Sequence, residues 1–385
     1  MKKKSIISGF LALVMSVSMM SFTAFATEPT EPVADPVAKT VTVSNEDQFM
    51  AISNYSNGAG ETKDYPRDFS GWTIIIADDL DMTGYTWQPL VNFYGSMTGK
   101  TDNRSSATIS HVTVSVAEKA GLCANSANGL FSDLTISDSS FITSNGYNGH
   151  YAGAFAASGF TSSFENCDVI NTTVKGVRFV GGVTGYSYGN ITDCDVTNCE
   201  ISSNANALAQ ARVWGDNIGG IVGLLCEGNM TVNNCTVTDT NVTGYRQVGG
   251  IAGATLYGDT IINCTVSSCN ITATGIVRTS TDRTKLTPCA GGIVGQFAAG
   301  SDNEKLKITI KDNKVLNSTI SQSNTTVTET YIGWAVGDAN TRLTASQYEV
   351  SGNTQNDVTG IKGNTTVTLN EIGFNPANPS LPVAE

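Results

Sequence analysis

A five-residue glycine block returns along this chain, and that return limits the possible folds more than any other feature. Gly181-Gly182-Val183-Thr184-Gly185 recurs as Gly219-Gly220-Ile221-Val222-Gly223, Gly249-Gly250-Ile251-Ala252-Gly253 and Gly291-Gly292-Ile293-Val294-Gly295. Looser copies bracket these at Ala152–Ala156 and Ile332–Gly337. A second block lies between them. Asn166-Cys167-Asp168-Val169 returns as Asp193-Cys194-Asp195-Val196, Asn234-Cys235-Thr236-Val237 and Asn263-Cys264-Thr265-Val266, with Asp312-Asn313-Lys314-Val315 a degenerate copy. An apolar residue follows the Cys position by seven in all five: Val174, Ile201, Val242, Ile271 and Ile320. The distance from there to the next glycine pair varies from 7 to 20. A constant segment alternating with elastic ones is a structural rung interrupted by surface loops.

Period-two alternation says what the rung is. In Cys194-Asp195-Val196 apolar residues flank a polar one, and Cys199-Glu200-Ile201 alternates again out of phase. Two alternations out of phase are two short strands with a bend between them, and the glycine block supplies a third. Thr, Val, Ile, Asn and Gly dominate, and only Asn206 to Arg212 looks briefly helical. Short strands stacked at roughly 4.8 Å per coil predict an all-β chain, a parallel β-helix with dry interior stacks of Ile, Val and Cys. The Asn or Asp before each Cys position suits a bend, since it tolerates the left-handed conformation and its side chain can pair with the next rung.

These residues also carry a resemblance. Gly181 to Ser203 resembles the GLUG repeat of secreted bacterial surface proteins, with Asp193 where that repeat has Asn. Four copies match well and two loosely, over about half of the mature chain. Trp87-Gln88-Pro89-Leu90, Ile109 to Val114 and Gly129-Leu130-Phe131 resemble the lead-in that precedes such repeats. The resemblance implies a right-handed parallel β-helix with an N-terminal β lead-in or cap, and a cell-surface or extracellular life. It implies little about activity, because such repeats occur in adhesin-like proteins and beside several enzymes.

The ends of the chain agree with secretion. Lys2, Lys3 and Lys4 precede an apolar run from Ile6 to Phe25 that closes on Ala24-Phe25-Ala26, the pattern of a signal peptide over residues 1–26. No further apolar run reaches the ~20 residues of a spanning helix, so no transmembrane segment is expected in the mature chain. The signal holds three lysines and no acid, so its removal moves the formal charge from −12 to −15. An acidic chain repels phosphate backbones, which argues against nucleic acid as a partner. Residues 27–39, with Pro29, Pro32 and Pro36, read as a tether. The expected divisions after it are a β cap over 40–120, the β-helix over 121–360, and a strand and tail over 361–385.

Nine cysteines in a secreted chain ordinarily suggest disulfides. Here Cys167, Cys194, Cys235 and Cys264 share one repeat position and Cys199 and Cys269 another, which predicts inward stacks of small thiols, with oxidised pairs between neighbouring rungs the alternative. No paired C-x-x-C motif is present, so neither a zinc site nor any other metal or cofactor is expected. His111 and His150 sit in no catalytic spacing, and no Gly-x-Ser-x-Gly or His-Glu-x-x-His motif appears. Asp168 and Asp195, one rung apart with Asp193 beside them, have a spacing that would fit paired carboxylates for sugar chemistry or a calcium site, against the favoured reading of a solvated acidic face. No catalytic residue is assigned. Arg178 and Arg246 each stand three residues before a glycine pair. With Tyr245, and with Arg212 and Trp214 from a longer loop, they form the candidate ligand-binding edge, arginine and aromatics suited to sugar rings and acidic glycans. The leading expectation is therefore a non-catalytic module binding extracellular glycans or a host or cell-envelope surface. A polysaccharide lyase or glycosidase on the same scaffold and a structural spacer are the alternatives.

Overall fold

The computed structural model describes residues 30–144, 150–203, 217–226, 228–256, 258–275, 288–297, 307–323, 331–339 and 343–374. Each repeat forms one turn of a parallel β-helix, in the register that the repeats demand. Val174, Ile201, Val242, Ile271 and Ile320 stand side by side on successive coils. Gly181, Gly219, Gly249, Gly291 and Gly333 do the same. Among the described residues, four sheets of 18, 9, 7 and 8 strands run along the stack.

Three strands per rung proves an undercount. One coil passes through Ile191–Thr192 and Asp195–Thr197 in the largest sheet, then Glu200–Ser203 in the nine-stranded one. Asn217–Gly219 and Val222–Leu225 follow in the seven- and eight-stranded sheets. The glycine block thus supplies two strands with the glycine pair at the corner. Its last glycine then lets two backbones touch. A Cβ on Gly223 would lie 2.5 Å from both the Gly185 carbonyl oxygen and the Val180 nitrogen. The seven- and eight-stranded sheets therefore meet in a tight seam, and the outward residues of both strands project beside each other along it.

The bends form as expected and are doubled. Asn166, Asp193, Asn234, Asn263 and Asp312 all have φ between 52 and 58°. A second left-handed position lies five residues on, at Asn171, Asn198, Asp239, Ser268 and Asn317. Amide and carboxylate heads link coils: Asn166 Nδ2 donates to Asp133 Oδ1 at 2.9 Å and Asn198 Nδ2 to Asn171 Oδ1 at 2.8 Å.

Inside, Cys167, Cys194, Cys235 and Cys264 are fully buried and follow Leu134 along one column. Asn313 closes it, its Oδ1 accepting from the Cys264 N–H at 2.8 Å. All nine cysteines are free thiols. Burial pushes Cys199 and Cys269 up to about 11, so they stay protonated and inert at neutral pH.

The N-terminal region departs from expectation. Val33–Asp35, within the expected tether, pairs antiparallel with Thr40–Val43. Thr40–Val43 then pairs parallel with Thr73–Ile76, so residues in the expected cap already belong to the main sheet. Glu46–Ser56 is an α-helix that the composition did not advertise. Asn45 caps it, accepting from the Gln48 N–H at 3.0 Å. Phe49 stacks on Trp87 at 4.1 Å, tying the helix to the core. Residues 1–26 and the Asn206–Arg212 segment lie outside the described residues. Among the described residues, no helix is long and apolar enough to cross a membrane.

One buried carboxylate gives the fold a pH dependence. Asp259 is fully buried and accepts from the Met230 and Leu256 N–H groups at 3.2 Å each. Burial pushes its acid up to about 7. The folded chain then holds a proton that the unfolded chain has already lost at the same pH. Stability accordingly falls as pH rises from about 4 to about 7, by on the order of a few kcal/mol. Melting is expected at a higher temperature at pH 5 than at pH 8, with Asp259→Asn flattening the difference. Equal slopes for the parent and that variant would show that another group carries it.

Candidate functional site

The outward residues of the seam build a continuous aromatic ledge. Lys119, Tyr151 and Phe179 occupy one register position on three successive coils of the seven-stranded sheet. Across the seam, Tyr186 and Tyr188 flank the outward end of Thr184–Ser187, with Phe160 one coil back. The rings touch in sequence. Tyr151 lies 4.7 Å from Phe179, Phe179 stacks on Tyr186 at 5.3 Å, and Tyr186 meets Tyr188 at 4.9 Å. Tyr188 in turn meets Phe160 edge-on at 4.5 Å. Phe160 is 47% exposed, whereas Phe179 is buried beneath its neighbours.

Polar groups border the rings. The Arg178 guanidinium sits 4.6 Å above the Phe179 ring, and Lys119 Nζ 5.5 Å from the Tyr151 ring. Lys119 also donates to Asn125 Oδ1, and the Asn125 amide to the Val91 carbonyl at 2.8 Å. Burial lowers the Lys119 pKa and raises that of Tyr186, whose hydroxyl donates to Tyr188. Tyr186 therefore stays un-ionised and keeps its donor hydrogen at neutral pH. The surface can cover the apolar face of a ring-shaped ligand and hydrogen-bond its edge.

The sequence-based edge is only partly realised. Arg178 and Arg246 do hold equivalent backbone positions: their carbonyls accept from Asn217 and Cys289 at 2.7 Å each. Their side chains differ. Arg178 is half-buried on the ledge, while Arg246 is 5% exposed and its charge, like that of Asp338, bears on the buried Cys289 thiol. The residue after each arginine decides the outcome, since Phe179 offers a ring to lie on and Gln247 does not. Tyr245 is half-buried two coils from Arg178 and packs over Gly275. Arg212 and Trp214 lie outside the described residues.

Lys119, Tyr151, Phe160 and Phe179 escaped notice in the sequence, although a signal was there. Extending the glycine frame back to Gly121 puts Lys119, Tyr151 and Phe179 two residues before successive glycines.

The carboxylate pair lies on another sheet. Asp168 Oδ1 accepts from the Asp195 N–H at 3.1 Å, and burial pushes the Asp168 acid up to about 6. Neither residue joins an ion pair among the described residues. No cluster of metal-ligating side chains occurs among them either.

No protein-family model matches the chain. No curated protein matches it. Solved structures do. A candidate immunoglobulin A1 protease from Bacteroides ovatus is 16% identical, with a TM-score of 0.50 over 87% of this chain and 81% of that one. At that identity the likeness shows the β-helix fold alone. The Dettilon tailspike protein is 12% identical, with a TM-score of 0.29 over 87% of this chain and 67% of its own.

Proposed function

We propose that the protein is an extracellular, non-catalytic glycan-binding β-helix of the GLUG-repeat kind, and that its ligand lies on the aromatic ledge. The observation that carries this reading is the unbroken contact of Tyr151, Phe179, Tyr186, Tyr188 and Phe160. Phe179 anchors a small buried cluster with Leu224, Cys226 and Ala254, against which Tyr151, Tyr186 and Tyr188 pack half-buried, and a half-exposed aromatic strip with polar borders suits a binding surface. A solenoid holds such a strip rigid, because neighbouring coils fix each ring. Secretion and the surface setting rest on the signal-like first 26 residues and on the repeat resemblance.

The test is a glycan array on the mature chain, followed by titration of the best ligand. A Phe160→Ala/Tyr188→Ala variant is expected to bind at least about tenfold more weakly, since truncating a central aromatic contact costs 1–2 kcal/mol or more. Phe160 is 47% exposed and Tyr188 half-buried, so melting should fall modestly, and Phe160→Ala alone, expected to melt nearly as the parent does, separates lost binding from lost stability. Undiminished binding would place the ligand elsewhere, and an array with no hit would favour the spacer reading. Polysaccharide cleavage draws its support from Asp168, an acid held near neutrality beside a second carboxylate. Shortened products in the array supernatant would favour it.

A further inference from the structure

We propose that the ledge takes an acidic polysaccharide laid along the solenoid axis, whose anionic groups recur on every second sugar and meet Lys119 and Arg178 in turn. This deepens the glycan reading and rests on it.

The direction follows from the register. Lys119, Tyr151 and Phe179 are stacked coil upon coil, so their column runs parallel to the axis. Coils repeat at roughly 4.8 Å, and the Tyr151 and Phe179 rings lie 4.7 Å apart. That spacing is close to the advance of one sugar in an extended chain. A glycan lying along the column would meet Lys119, the Tyr151 ring and the Arg178 guanidinium that lies over Phe179, one per residue, whereas one lying across it would leave that row after one or two sugars.

The charge follows from where the cations sit. Lys119 lies at one end of this column and Arg178 over the ring at the other, two coils on. Their spacing is therefore about 10 Å, two sugars long. The chain carries only 22 Lys and Arg against 34 Asp and Glu. Two cations bordering one aromatic surface are an uneven use of a scarce residue type. Glu118 is an acid whose charge bears on Lys119, and it is itself exposed. A neutral glycan would gain stacking and ordinary hydrogen bonds here. An anion beside each cation gains a charge-assisted bond as well, worth more than a neutral one and stronger where both partners are partly shielded from water.

Titration calorimetry on the mature chain can decide, with three probes that carry acid on alternate sugars: hyaluronan, chondroitin sulfate and heparan sulfate. Each is paired with its carboxyl-reduced, desulfated form, and a neutral glycan set runs beside them. At least one acidic probe is expected to bind, at least about tenfold more tightly than its neutralised form. Its affinity should fall with added salt. Lys119→Gln and Arg178→Gln should each remove much of that salt dependence. Neutralised and acidic forms binding alike would overturn the acidic ligand while leaving the ledge a glycan surface. Neutral glycans binding where no acidic probe does would also overturn it. Binding of nothing in either set would remove the underlying glycan reading. The salt series and the neutralised ligands need no variant, so a poorly folding substitution leaves the test standing.

Discussion

An Ile251→Asp chain is expected not to fold, seen as loss of the cooperative melting transition and of the β-sheet circular-dichroism band. Ile251 is fully buried, between Ile221 and Ile293 on adjacent coils. Its N–H donates to the Ile293 carbonyl and its carbonyl accepts from the Ile221 N–H, both at 3.0 Å. Those bonds occupy its backbone groups, and the buried Ile221 and Ile293 side chains offer a carboxylate no partner. Burying an unpaired charged group costs several kcal/mol even after its pKa shifts, against a total stability of about 5–15 kcal/mol. The damage should not stay local, because each coil is held by its two neighbours. A variant that melts at the parent's temperature would show that this column is not core.

Gly250→Ala is expected to cost about 3 kcal/mol, read as a lowered urea midpoint with an unchanged slope. The added carbon would lie 2.1 Å from the Gly292 carbonyl oxygen and 2.8 Å from a Val266 methyl. Gly220 and Gly292 face the same obstacle one coil either way, at 2.1 and 2.0 Å. Backbone on the next coil cannot swing aside as a flexible side chain can, so the coils must part. The glycine pair thus serves close stacking and not a special dihedral. Gly84 supplies the contrast, with φ at 85° and nothing within 4 Å of its added carbon. Gly84→Ala should cost about 1 kcal/mol, through backbone strain alone. Equal losses at the two sites would refute the steric account.

The parts of this fold visible in the sequence are those that every coil must satisfy alike. The Cys column, the seven-residue step to Val174 and its equivalents, and the left-handed Asn or Asp each face the same neighbour above and below. Selection for that contact leaves a period. The helix Glu46–Ser56 occurs once, and its signal is local: Asn45 as cap, with Glu46 and Asp47 in the first turn. A search for repeats passes over it. The ledge was hidden for another reason, since its rings come from separate coils and meet only because the seam folds two sheets edge to edge. Outward positions answer to ligand or solvent and not to a stacking partner, so Arg178 and Arg246 share a place in the repeat and differ in surroundings.

Stacking one coil on the next also fixes how the chain would yield to tension. A pull between the two ends acts along the axis, across the ladders, and therefore opens them in succession instead of shearing them all together. The slack released at each step is set by coil length. Val169 to Val196 is 27 residues and Val196 to Val237 is 41. At about 3.4 Å per residue, those turns would pay out roughly 90 Å and roughly 140 Å. Loop length, which the core tolerates freely, thereby sets the compliance of each turn under load.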